Sequence, residues 1–229
     1  MTDEATLATF RLVDSFLPVG TDSVSYGLEQ FVAADRVTDA DDLRSLIETY
    51  LRDQHARADL IALRTAHAAT ADGDLEGVRR ADRRLVAVTL PAEFRESSTR
   101  TGGRLLALQR ELQDDAFLER YDSAVADDDA PGTYPVVLGV TTSLVGISVR
   151  EACLLACHEF VTAQLAAAQR LLQLGHTEVQ VVLNDVQPAM VEAVAASAGR
   201  PIDSMDTFTP LVELLAAEHE RANRRLFVS

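Results

Sequence analysis

SVREACLLACHEFVTAQLAAAQRLLQLG, residues Ser148–Gly175, reads as one long buried helix. Ser148 and Glu151 form an S-x-x-E capping box, in which each side chain satisfies a backbone N–H that the first helical turn leaves without a partner. The apolar pattern then runs unbroken to Leu174, and Gly175 is a natural residue for the position just past a helix end. A helix over 149–174 extends roughly 40 Å at 1.5 Å per residue. Its Cys, Ala and Leu content leaves few positions that favour water, which predicts a central helix with others packed around it.

The flanking segments carry the same period. Leu43, Leu46, Ile47, Tyr50 and Leu51 follow the i, i+3, i+4, i+7, i+8 spacing of one buried stripe. Thr38 with Asp41 reads as a capping box for a helix reaching His67, and Asp39, Asp41 and Asp42 put negative charge at the positive end of its dipole. Gly73 and Gly77 punctuate the next segment, and helices are expected at 78–90 and 92–113, separated at Pro91. Thr177 and Gln180 make a further capping box, for a helix that Pro188 must kink or split. Thr209 and Pro210 open a last helix that runs into an Arg-rich tail. The apolar run Glu178–Leu183 is strand-like in composition but follows a helix cap, and no segment alternates between hairpin turns. The expected fold is all-α: a single domain over 1–229, a bundle of about nine or ten helices around the 149–174 helix. A loop is expected near 127–132 and a mobile C-terminal tail over 222–229.

Composition removes several classes of function. The 21 basic residues are all Arg, and 36 Asp and Glu set a net charge of -15. Without Lys there is no Walker-type phosphate loop, no Schiff-base chemistry and no tether for pyridoxal phosphate. A surface so acidic repels nucleic acid, and its pattern suits a salt-rich cytoplasm where screening relieves self-repulsion. Cys153 and Cys157, without a C-x-x-C motif, and an acidic start fit a reducing cytoplasm. Ala130–Val149 is uncharged over about the length of a membrane span, but Pro131, Gly132, Pro135 and its Thr and Ser residues make it a buried small-residue helix instead.

No residue pattern completes a catalytic or metal site. Cys153 and Cys157 share a helix face with His158 turned away, the arrangement of buried structural cysteines. Asp127, Asp128 and Asp129 could hold Mg²⁺ against a diphosphate in an all-α enzyme, yet they run into Ala-Pro-Gly and read as a solvated charge run. Arg79, Arg80, Arg83 and Arg84, interleaved with Glu76, Asp82 and Glu93, read as a salt-bridged helix face. His55, His67 and His176 read as helix-surface or cap residues. No cofactor is expected.

Five stretches are more specific: SFLPVGTDSVSYGLEQFV (Ser15–Val32), RESSTRTGGRLLAL (Arg95–Leu108), PVVLGVTTSLVGIS (Pro135–Ser148), AAAQRLLQLGHTEVQVVL (Ala166–Leu183) and HERANRRLFVS (His219–Ser229). In this order, over nearly the whole chain, they resemble the urease accessory protein F family, UreF. The chain departs from the common pattern at Thr21 and Asp22, at Gln173 and His176 where many members read P-L-G-Q, and at Val228 near the end. The resemblance implies an all-α accessory protein without enzymatic activity. Such a protein joins a D/H-type accessory scaffold and a G-type GTPase on apo-urease, so that nucleotide-gated assembly admits nickel, and a homodimer is expected. It also makes the two ends the contact surfaces, with Asp22, Tyr26 and Glu29 at one and His219, Glu220, Arg224, Arg225, Leu226 and Phe227 at the other. From the residues themselves, Ser25, Tyr26, Glu29 and Gln30 form a polar helix edge beside Gly27, a close-packing glycine. Leu226 and Phe227 form an apolar tip on a charged stem. A Mg²⁺-dependent enzyme acting on diphosphates and a plain oligomeric helical scaffold are the alternatives.

Overall fold

A computed structural model describes residues 2–14, 16–19 and 26–207, and among them the fold is all-α with no β-strand. Helix α1 (Asp3–Leu12) and the short α2 (Leu28–Ala33) precede α3 (Ala40–Tyr50). From α3 the chain continues without a break through a π-helical stretch, Leu51–Asp59, into α4 (Leu60–Ala71). Then follow α5 (Leu75–Val88), α6 (Ala92–Leu112), α7 (Ala116–Ala126), α8 (Tyr134–Leu144), α9 (Val149–Leu171), α10 (His176–Asp185) and α11 (Gln187–Ala196), with a 3₁₀ turn at Ile202–Ser204.

Several helix starts lie where local chemistry puts them. The Ser148–Glu151 capping box is complete, Ser148 Oγ accepting from the Glu151 N–H and the Glu151 carboxylate accepting from the Ser148 N–H. Pro188 does split its segment, α10 ending at Asp185 and α11 opening with the proline in its first turn. The stretch before Ser148 is a buried small-residue helix, α8, with Val136–Thr142 all buried.

Other boundaries move. The N-cap of α3 is Asp39, whose carboxylate accepts from the N–H groups of Asp41 and Asp42, while Thr38 donates to Asp42. The helical run extends beyond His67 to Ala71, and Gly77 lies inside α5, which Asp74 caps. Helix α9 stops at Leu171, because Gln173 takes a left-handed φ of 56°. Leu172 and Leu174 both pack against the core, which two residues set two apart on a continuing helix would not do. Gly175 consequently opens α10 instead of ending α9, its N–H donating to Glu178 over 2.8 Å, and the expected Thr177–Gln180 box is displaced by two residues.

Buried residues from Ala5 to Met205 form one hydrophobic cluster. Helices α4 and α8 pack closely in it, where Gly139 lies against the α4 backbone: a Cβ there would stand 2.5 Å from the Leu63 carbonyl oxygen. Arg64, also on α4, reaches across to α11 and donates to Val194 O over 2.7 Å and Ser197 Oγ over 2.9 Å, occupying one carbonyl at that helix's C-terminal end. His67 Nε2 lies 2.8 Å from Ile147 O, and Ser143 Oγ donates to His67 O, so the turn between α8 and α9 is tied to α4.

Candidate functional site

Of the residues singled out in the sequence, Asp22, His219, Glu220, Arg224, Arg225, Leu226 and Phe227 lie outside the described residues, as do Thr209 and Pro210. Tyr26 and Glu29 are described. Tyr26 is half-buried, and its ring meets Phe94 and Phe160 edge-on at centroid distances of 5.8 and 5.0 Å. Its carbonyl accepts a 2.5 Å hydrogen bond from Tyr50 Oη, which fixes the entry to α2. Gly27 has φ of 77°, and a Cβ there would only touch Tyr50 and Phe94 at 3.8 and 3.9 Å. Left-handed backbone, rather than close packing, is therefore what the glycine supplies. Glu29 sits half-buried in the first turn of α2.

The opposite end of the described chain is strapped down. Arg57 Nε donates to Asp206 Oδ1 over 3.0 Å and its Nη2 donates to Oδ2, with Arg200 beside them. Arg84 donates to Met205 O, and Thr207 Oγ1 donates to Val88 O. These contacts hold 205–207 against α5 and the π-helical stretch. Leu7 and Phe10 on α1 and Val13 just past its end are exposed, and Phe16 beyond is 91% exposed. Leu7 and Phe10 are three apart on the helix and make an apolar ridge with no covering element among the described residues.

Two internal polar clusters were not legible in the sequence. Asp82, expected on a salt-bridged surface face, is fully buried. It accepts from Tyr121 Oη (2.8 Å), Gly132 N (2.7 Å), Thr133 N (3.0 Å) and Thr133 Oγ1 (2.6 Å), bolting the 127–133 loop to α5 and α7. Burial pushes its pKa up against the lowering effect of those four donors. On that face Arg79 and Arg83 pair with Glu76 and Arg79 also with Asp129, as expected, while Arg84 instead donates to Met205 O. Asp127, Asp128 and Asp129 are exposed in their loop, and among the described residues no three His, Cys, Asp or Glu are grouped to hold a metal. Cys153 and Cys157 are free and buried, burial raising the Cys153 thiol to about 11 and the Cys157 thiol further.

The second cluster lies where the π-helical stretch faces α6, α8 and α9, around a pocket of about 60 Å³. His55, expected at the surface, is buried here, its ring 4.1 Å from that of Phe160. Its Nδ1 is 3.0 Å from Asp59 Oδ2 without hydrogen-bond alignment, and its Nε2 has no partner. Burial keeps the imidazole neutral, with a pKa lowered to about 3. Asp59 is raised to about 7 by burial, opposed by a hydrogen bond with Gln54. Across the pocket Glu159, hydrogen-bonded by Tyr134 Oη, is raised to about 8 by burial. The wider backbone of a π-helix, often found at functional sites, is what the motif-based reading could have flagged only from a structure.

No helix among the described residues is long and apolar enough to cross a membrane. A sequence model of the UreF family matches residues 37–187. The chain is 30% identical to the urease accessory protein UreF of Trichodesmium erythraeum over 97% of this chain and 96% of that protein. It is 31% identical to UreF 1 of Brucella melitensis over 94% of this chain and 89% of that protein. With UreF of Yersinia enterocolitica the identity is 29%, over 93% of each.

Proposed function

Because the chain belongs to the UreF family of urease accessory proteins, we propose that it is a non-catalytic adaptor in urease maturation. It joins a D/H-type accessory scaffold and a G-type GTPase on apo-urease, and its nucleotide-gated assembly lets nickel reach the enzyme. The observation that carries this reading is the likeness to accessory proteins along almost the entire chain. The absence of Lys supports it, since GTP chemistry through a Walker lysine has to belong to a partner. So does the apolar ridge of Leu7, Phe10 and Phe16, a surface of the kind that protein contacts bury. The continuous core supports one domain, and the -15 charge supports a protein that acts away from nucleic acid. The reading further takes it to act as a homodimer in the cytoplasm, away from membranes.

The test is assembly. The tagged chain, co-expressed with the GTPase and the scaffold, should retain both, and Arg225→Ala should lose the GTPase while its circular dichroism and melting curve stay unchanged. Normal assembly by a variant with a lowered melting temperature would assign Arg225 to this protein's own core and remove it from the interface.

A further inference from the structure

The pocket beneath the π-helical stretch has no role in the adaptor reading, yet its wall is unusual for a helical core. The charged and titratable groups lining it are His55 and Asp59 from the π-helical stretch, Arg95 from α6, Tyr134 from α8, Glu159 from α9, and Tyr26. Arg95 belongs to the same wall, its Nη1 donating to backbone carbonyls, to Thr89 O over 2.8 Å and also to Leu90 O. Neither Asp59 nor Glu159 is stabilised by an Arg, and buried carboxyl groups are normally paired when taken from water. Tyr134 Oη is committed to Glu159, and Tyr50 Oη, behind the aromatic wall, to Tyr26 O. His55 Nε2, on a residue 7% exposed, is left without a partner at the same cavity.

We propose that this pocket binds a small ammonium-class cation, ammonium itself or methylammonium, through Asp59, Glu159 and the neutral His55 imidazole. Four properties select that chemistry. An ammonium ion is donor-only, which suits a wall offering two carboxyl groups and an unpaired ring nitrogen. It is about the size of water, and a cavity of about 60 Å³ holds it with a few waters but excludes a larger organic ligand. The rings of Tyr26, Phe94 and Phe160 line the same space, and aromatic faces attract ammonium groups where they are desolvated. A transition metal would need several closely grouped ligands, and no three His, Cys, Asp or Glu are so grouped among the described residues.

Binding also has a sign with pH. With the pocket empty, burial keeps Glu159 largely and Asp59 about half protonated near neutrality. A cation favours their ionised forms, so its uptake releases protons and tightens as pH rises from 6.5 to 8.

The experiment is a set of thermal melts of the full chain at pH 8 in ammonium chloride, potassium chloride and sodium chloride at equal ionic strength. The melting temperature in ammonium should exceed that in sodium by about 3 to 6 °C at ten times the dissociation constant. Potassium should behave as sodium. The increment should vanish in Asp59→Asn and in Glu159→Gln. Superimposed curves in the three salts, an equal effect of potassium, or an increment that survives both substitutions would each overturn the proposal. Should the variants not fold, ¹⁵N-ammonium relaxation with the wild-type chain decides: saturable broadening that potassium fails to compete supports the site, and its absence refutes it. None of these readouts involves urease or an accessory partner, so the outcome is independent of the adaptor reading.

Discussion

Arg57 and Asp206, 149 residues apart, meet fork to fork, the guanidinium Nε donating to one carboxylate oxygen and Nη2 to the other. The pair joins the π-helical stretch to the last described turn of the chain. Both side chains are partly exposed, so the bond contributes little to global stability. Its effect is on position, because it fixes Asp206 and its neighbours against the π-helical stretch. Arg57→Ala should cost less than about 1 kcal/mol in urea denaturation. The same variant should weaken capture of the GTPase and scaffold severalfold. An unaltered assembly would show that the strap has no bearing on the C-terminal contact.

Asp82 is the opposite case, a carboxylate with no solvent exposure and four hydrogen bonds. Asp82→Ala strands the Tyr121 hydroxyl and two backbone N–H groups in the core, and should destabilise by about 3–5 kcal/mol. Asp82→Asn keeps one acceptor oxygen and should cost roughly half as much. Equal losses from the two variants in chemical denaturation would mean that volume, not hydrogen bonding, is what Asp82 supplies.

The contrast between Asp82 and Ser148 shows what a sequence discloses. Ser148 finds Glu151 three residues away, and a pattern of that span is visible in the chain itself. Asp82 finds its partners 39, 50 and 51 residues away, and on its own helix it is indistinguishable from the surface acids beside it. His55 misleads for a related reason. The polar run RDQHARAD lacks an apolar stripe, so burial of its His comes from neighbours on α9 and not from its own segment. The all-α class, the Pro188 break and the buried α8 were all local properties and legible. The end of α9 was not, because Leu172 and Leu174 choose the core over helical continuity. The expected partner surface rests on resemblance alone, and most of its residues lie outside the described part of the chain.

Gly139 gives a packing prediction. A methyl group there meets the Leu63 carbonyl at 2.5 Å and Ala66 Cβ at 3.2 Å, both on the backbone or first side-chain atom of α4 and unable to swing away. Gly139→Ala should improve the local helical propensity of α8 by about 1 kcal/mol and still destabilise the protein, with overpacking costing about 1–3 kcal/mol or more. A thermal midpoint equal to or above wild type would show that α4 and α8 can separate freely.

Stability should also depend on pH in a defined direction. Asp59 at about 7 and Glu159 at about 8 hold protons in the folded state that carboxyl groups at 3.8 and 4.5 have released in the unfolded one. The folded chain binds more protons, so stability is greatest at low pH for these two groups and is lost as pH rises through 7 and 8. His55, at about 3 in the fold against 6.5 unfolded, acts in the other direction, but most of its effect lies below pH 6.5. In sodium chloride the melting temperature should therefore fall between pH 6.5 and 8, and less steeply in Glu159→Gln. A rise over that interval would contradict the placement of the two carboxyl groups.

The uninterrupted helical run from Ala40 to Ala71 has a consequence for insertions and deletions. Its middle, Leu51–Asp59, is wound more loosely than the α-helices on either side. Winding sets the angular phase between the stripe of Leu43, Ile47 and Tyr50 upstream and the face of Leu63 and Ala66 that meets Gly139 downstream. Each α-helical residue turns the axis by about 100°. Deleting one residue from the loose stretch would let it rewind as ordinary α-helix, improving its own hydrogen bonding while rotating α4 off α8. The segment works as a phase adjuster whose local imperfection is the condition for the two ends of one rod to fit different neighbours.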